Sequence, residues 1–344
     1  MIYYVVTAAH AYTMESYLQT WGRPLNDRIK LVFYEELPRI RRLPTGTYIF
    51  SDLERLTRAQ SLFARHVWEE LAHAGPRVRL LNHPIRTMRR YQLLNTLFNM
   101  GWNTFRVCRA PGWDTTLRFP VFIRHECEHK GSLTSLLHSP NDVISALADL
   151  EQKGHDLQRL MIVEFCDTAD ASGTYRKYSV FMIGGTIIPR HLIFSRKWVL
   201  KTADLGTHEM LQEEREYMKS NPDEHWARQV FALANVQYGR IDYGLLNGRP
   251  QVWEINTNPA VLMRPKDYAA IHQAGQAYFA RTVQPVFEQL DSPLGSNKVE
   301  ISAPHELAKM LPMAHWANRS RRFVRNIKNK LLAIPRVGIL TRDH

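Results

Sequence analysis

Apolar and polar positions along the first hundred residues fall into blocks of two kinds. Ile2 to Val6, Lys30 to Tyr34, Thr47 to Phe50 and Val78 to Leu81 are short β-rich runs bounded by Pro, Gly, Asn or Ser. Between them, Ala11 to Trp21 and Leu53 to Ala74 read as helices. In the second, Leu56, Ala59, Leu62, Phe63, Val67 and Leu71 recur near helical spacing, and Ser51-Asp52 offers a cap. Arg86 to Met100 is a further amphipathic helix, closed by Gly101. Strands alternating with helices predict a parallel sheet covered on both faces.

From about Phe105 the strands lengthen. Phe119 to His125, Arg159 to Cys166, Tyr178 to Ile183, Thr186 to Ile193 and Pro250 to Asn256 read as extended. Asn141 to Lys153, Thr207 to Met218 and Glu224 to Asn235 read as helices between them, and Asp267 to Leu290 as a closing helix. Gly184-Gly185 between two apolar runs is a hairpin signal. The pattern predicts an antiparallel sheet with helices on one side. Asp291 to Asn297 reads as a linker, after which a basic tail begins.

Composition narrows the class. The 344 residues are 44% hydrophobic and 23% charged, which excludes wholesale disorder. No apolar run approaches the roughly 20 residues of a membrane-spanning helix. The opening residues lack a basic stretch and a long apolar core, so no secretory signal is expected. Cys108, Cys127 and Cys166 are widely spaced and form no disulfide framework, which fits a reducing cytoplasm. The formal net charge of +12 points to anionic partners. From Arg319 onward there are eight Lys and Arg against Asp343 alone, so seven of those twelve charges belong to the tail. The body is only mildly basic.

The stretch richest in chemistry is Tyr238-Gly-Arg-Ile-Asp-Tyr243 followed by Val252-Trp-Glu-Ile-Asn-Thr-Asn-Pro259. Glu254 and Asn256, two apart on a strand, project from one face. Asp242 joins them if the strands pair through the Asn247-Gly248 turn. Trp253 and Ile255 then face a core. Two carboxylates and an amide oxygen suit a hard cation such as Mg²⁺. A surface hairpin with its charges in water has the same spacing.

This string resembles the metal-binding signature of the ATP-grasp superfamily. The resemblance covers roughly residues 80 to 290 and is strongest over 238 to 259. It implies that Asp242, Glu254 and Asn256 hold Mg²⁺ (or Mn²⁺ in its place) on ATP phosphates, and that Arg240 contacts the transferred phosphate or acyl-phosphate. Arg124 stands where the family has a basic residue, commonly Lys, for the α- and β-phosphates. Lys130, Gly131 and Ser132 stand in its phosphate loop, Glu164, Phe165 and Cys166 at the adenine-reading hinge, and Lys177 near the ribose position. Lys201 is the choice for a further phosphate-contacting cation. The implied fold is α/β plus α+β: an N-terminal α/β domain over 1–104, a two-lobed ATP-grasp domain over 105–290 with a hinge near 164–167, and a linker with a basic helical tail over 291–344.

The implied activity is an ATP-dependent carboxylate–amine ligase working through an acyl-phosphate on small-molecule substrates. A kinase acting on a hydroxyl and a non-catalytic nucleotide-binding protein are the alternatives. Nucleic acid is not an expected partner. Arg319 to Leu332, with Phe323, Ile327, Leu331 and Leu332 at helical spacing, fits a basic amphipathic helix at an anionic membrane or partner, or a packed terminal helix. Oligomeric state is not legible. His125, Cys127 and His129 are all possible zinc ligands, but alternate residues on one strand rarely converge on a metal, and a polar loop is the better reading. Arg77, Arg79, Arg86, Arg89 and Arg90 could bind nucleic acid or an anionic substrate, but the solvated face of a helix is the favoured reading.

Overall fold

The computed structural model describes residues 1–128, 131–200, 204–291 and 297–302. Its first strand, β1 (Ile2–Val6), is buried throughout: Ile2, Tyr4 and Val6 join one apolar cluster, and Tyr3 and Val5 another. A strand covered on both faces has no polar side to show, which is why its sequence is continuously apolar. It is followed by α1 (Tyr12–Leu18), β2 (Ile29–Phe33), β3 (Arg42–Pro44), β4 (Thr47–Phe50), α2 (Arg58–Ala72), β5 (Arg79–Leu81) and α3 (Arg90–Asn99). Strands β2, β1, β4 and β5 form a parallel sheet in that order.

Two helix boundaries differ from the sequence expectation, each for a local reason. Asp52 does not cap a helix. It takes a left-handed conformation (φ 59°), and a single 3-10 turn at Leu53–Arg55 intervenes. Thr57 caps α2 instead, in a reciprocal box with Gln60. The helix expected from Arg86 begins at Arg90, because Arg86 and Thr87 turn back on the His83 carbonyl.

The second half contains β6 (Val107–Arg109), β7 (Val121–His125), α4 (Pro140–Gln152), β8 (Leu160–Glu164), β9 (Tyr175–Ile183), β10 (Thr186–Ser195), α5 (His208–Ser220), α6 (Glu224–Leu233), β11 (Tyr238–Leu246), β12 (Arg249–Asn256), α7 (Gln273–Leu290) and β13 (Lys298–Glu300). Two antiparallel sheets result, one in the order β6-β8-β7 and one in the order β10-β9-β11-β12. Gly184 (φ 59°) and Gly185 (φ 110°) make the β9–β10 hairpin, a conformation that L side chains resist. The closing helix starts at Gln273, not Asp267, since Pro265–Asp267 and Ala270–His272 form separate 3-10 turns.

One core links the parallel sheet to the four-stranded sheet. Tyr4 meets Tyr238 edge-on at 5.5 Å, and Tyr17 lies 6.0 Å from Phe287 of α7. Burying an aromatic or aliphatic side chain of this size contributes about 1.5–3 kcal/mol. Beyond α7, Lys298–Glu300, expected to open the basic tail, is a strand. It pairs antiparallel with β3, and Ile301 enters the core under α2. Lys130, Lys201, His129 and the tail segment Arg319 to Leu332 lie outside the described residues. Among the described residues no helix is long and apolar enough to cross a membrane.

Candidate active site

Asp242 and Glu254 are direct partners in the β11–β12 ladder, and Arg240 pairs with Asn256 two positions along. The turn that sets this register is Asn247-Gly248, both with positive φ (50° and 76°). A bulge follows Asp242, because Tyr243 pairs with Val252 and Trp253 has no partner in the ladder. The extra residue changes which way Trp253 points. Against the strict alternation expected from sequence, Trp253 lines a cavity with Glu254 and Asn256, while Val252 and Ile255 stay in the core.

That cavity has a volume of about 320 Å³ and lies between the three-stranded and four-stranded sheets. Arg124, Gly131, Ser132, Glu164, Phe165, Cys166, Lys177, Arg240, Asp242, Glu254 and Asn256 all line it. Every candidate residue within the described part is therefore brought to one place. The volume falls at the lower end of the about 300–1,000 Å³ usual for small-molecule sites.

The two ends of the cavity differ chemically. At one end Trp198 packs 5.0 Å from Phe122 and 5.6 Å from Phe165, with Leu94, Val163 and Leu200 alongside. This is an apolar slot of the kind that takes a flat ring. Glu164 lies here, but its carboxylate is turned onto β6, accepting from Arg106 Nε (2.8 Å) and the main-chain N–H of Arg118 (2.7 Å). Its side chain braces the wall. The Ser132 hydroxyl is likewise held within its own loop, donating to the Thr134 carbonyl at 2.7 Å.

The other end is ionic. Arg240 grips Asp242 with two bonds, Nε to Oδ1 at 2.6 Å and Nη2 to Oδ2 at 2.9 Å. Ser179 donates to Asp242 Oδ1 at 2.8 Å, and Lys177 Nζ sits 3.7 Å from Oδ2 while donating to the Leu200 carbonyl. Lys177 thus stands at the carboxylate end of the cavity. Glu254 accepts from Arg124 (2.9 Å) and from Arg90. Burial works against the Asp242 charge, yet Arg240 and Lys177 overcome it and hold its pKa below the usual range. Burial and the neighbouring Arg90 push Arg124 down to about 10 against the pull of Glu254. Arg124 Nε is buried with no partner among the described residues.

Amino-acid ligases are among the solved structures similar to this chain. The D-alanine–D-alanine ligase of Coxiella burnetii is 12% identical with a TM-score of 0.47, covering 95% of this chain and 99% of that one. The D-alanine–D-alanine ligase of Bacillus anthracis is 14% identical with a TM-score of 0.45, over 84% of this chain and 98% of that one. An L-amino acid ligase of Bacillus licheniformis is 11% identical with a TM-score of 0.41, over 83% of this chain and 74% of that one. No family model and no curated protein matches the sequence.

Two residues in and beside the cavity carry no signal in the sequence. Arg90, expected on a solvated face, is only 4% exposed and donates to the carbonyls of His125, Glu126 and Glu128 as well as to Glu254. Trp198 sits in the Ser195 to Lys201 stretch, where Lys201 is the residue expected at the site. Nothing local marks either one, because their partners are remote in sequence. No zinc-type cluster forms among the described residues: the His125 ring pairs with His155 at 3.0 Å.

Proposed function

We propose that the protein is an ATP-grasp enzyme, an ATP- and Mg²⁺-dependent carboxylate–amine ligase. One observation carries the reading: a single cavity joins an aromatic slot to an ionic cluster in which Arg124, Lys177 and Arg240 line the wall with Asp242 and Glu254, and Arg90 stands behind Glu254. Arg90, Arg124, Lys177 and Arg240 against Asp242 and Glu254 leave a surplus of two positive charges. A nucleoside triphosphate carrying one Mg²⁺ has a net charge of about −2, which such a cluster complements.

The donor set fits the ion. Asp242, Glu254 and Asn256 offer only oxygen, and Mg²⁺ takes one or two carboxylates plus phosphate oxygens. Bound there, the ion would neutralise phosphate charge. The chain's own residues do the rest. Arg124 lines the cavity as a guanidinium suited to phosphate oxygens, and Arg240 and Lys177 keep fixed positive charge where an acyl-phosphate would form. The nucleotide's base would enter the Trp198 slot. We read the chain as an α/β unit over 1–104, a two-lobed unit over 105–290 and a tail over 291–344; the parallel sheet that precedes two antiparallel sheets supports the first two. Phosphoryl transfer needs positioning and electrostatics more than a protein nucleophile.

Thermal stabilisation by ATP tests the reading. ATP with Mg²⁺ raises Tm in wild type, and Trp198→Ala weakens that response. ATP without effect on Tm would overturn the nucleotide site. ADP release with amino acids and a new amide mass supports the ligase; a phosphorylated product points to a kinase.

A further inference from the structure

The carboxyl ends of three strands converge beside the cavity. Just past β12, the Thr257 hydroxyl oxygen accepts from the N–H of Leu53, just past β4, at 2.9 Å. Asn258 accepts from Tyr4 (2.8 Å) and Thr13 (2.6 Å), and donates to the His10 carbonyl at 3.2 Å. Its own main-chain N–H donates to Asn256 Oδ1 at 2.8 Å. The backbone of His10 is therefore two hydrogen-bonding steps from a candidate cation ligand. In open α/β sheets the crevice outside the carboxyl ends of the strands is where ligands sit.

At this convergence is a dyad that the nucleotide site does not use. Asp52 is fully buried and left-handed at φ 59°, a conformation that costs energy in a residue with a side chain. The Thr7 hydroxyl donates to its Oδ2, Arg55 binds its Oδ1, and His10 Nδ1 lies 3.1 Å from Oδ2 and 2.8 Å from Thr7 Oγ1. The Thr7 proton is already committed to Asp52, so both contacts of Nδ1 require a proton on that nitrogen. The Nε2 lone pair is then left with no partner among the described residues, on a side chain 31% exposed. The ring lies 6.4 Å from Tyr12; Glu35 accepts from the Ala8 N–H, and Glu54 lies 3.9 Å from Arg55. Three carboxylates against Arg55 attract a cation.

We propose that His10 is the base that deprotonates the incoming amine, with Asp52 as the positioning residue that sets its tautomer; this rests on the ligase reading above. An amine arrives as an ammonium with no lone pair. Transfer of one proton to His10 Nε2 frees that pair, which attacks the acyl-phosphate carbon. The new C–N bond forms as the C–O bond to phosphate breaks. The second N–H proton leaves with the phosphate as HPO₄²⁻, and His10 returns its proton to water. A purely structural histidine would affect nucleophiles of every kind alike.

Hydroxylamine separates the two roles, because it is uncharged at neutral pH and needs no base. Wild type, His10→Gln and Asp52→Asn are given ATP, Mg²⁺ and a pool of the twenty amino acids, with or without hydroxylamine. Asparagine tolerates left-handed backbone, so Asp52→Asn keeps the turn. At pH 7 both variants lose amide formation by about a hundredfold or more, keep hydroxamate formation within about threefold, and regain amide formation as pH rises. Equal loss with both nucleophiles, or no loss, overturns the role of His10. Wild type that makes neither hydroxamate nor amide overturns the ligase reading itself.

Discussion

Asp242 stands directly opposite Glu254 in the β11–β12 ladder, and each carboxylate is held by two cations supplied by other strands, a helix or its own strand. Two like charges this close are tolerable because Arg240 and Lys177 neutralise one and Arg90 and Arg124 the other. The arrangement stores a site already compensated for anions.

Glu254→Gln separates stability from binding. The substitution removes a negative charge between two arginines, so ATP gains a more positive surface but loses a cation ligand. With Mg²⁺ present, stabilisation by ATP, about 2.7 kcal/mol at a ligand concentration a hundred times Kd, falls to near zero. Without Mg²⁺, the variant binds ATP at least as well as wild type. Calorimetry with and without EDTA checks both arms.

Arg90→Met leaves three carbonyls and one carboxylate without their shared donor. Removing one member of a buried ion pair costs about 3–5 kcal/mol. Urea unfolding measures the loss. A change under about 1 kcal/mol would mean that Arg90 is dispensable to the fold.

His191 predicts an acid-side loss of stability. Ser179 donates to Asp242, so it accepts from His191 Nε2–H at 2.8 Å. Burial, reinforced by Arg190, Arg240 and Lys177, holds the ring's pKa well below its ordinary value. The unfolded chain takes up a proton near pH 6.5 and the folded chain does not. This contribution is complete above about pH 6.5 and falls by up to about 1.4 kcal/mol per pH unit below it. His191→Gln flattens that part of the stability–pH profile, read from unfolding midpoints between pH 7 and 5.

Gly239→Ala tests the closeness of β11 to β12. A Cβ there would lie 2.9 Å from the Asn256 carbonyl and 3.1 Å from Val236. The expected cost is about 1–3 kcal/mol, with a weaker Tm response to ATP and Mg²⁺ because Asn256 shifts. Gly206→Ala, which meets nothing within 4 Å, is the control and leaves Tm nearly unchanged.

The sequence alone determined what depends on near neighbours along the chain. Short apolar β-rich runs and turn residues gave the course of β1, β4, β9 and β10, and the Asn247-Gly248 turn brought Asp242 opposite Glu254. Those signals are local: backbone geometry decides side-chain faces within a strand, and only a few residues satisfy a tight turn. The tertiary structure decided the rest. It buried Arg90 against Glu254 across 164 positions, set Trp198 against Phe122 and Phe165, rotated Trp253 at a bulge, returned Lys298–Glu300 to β3, and joined His10 to Asp52. Each of these rests on groups far apart in sequence satisfying one another's charge, hydrogen bonds or apolar surface, and no local pattern names such a partner.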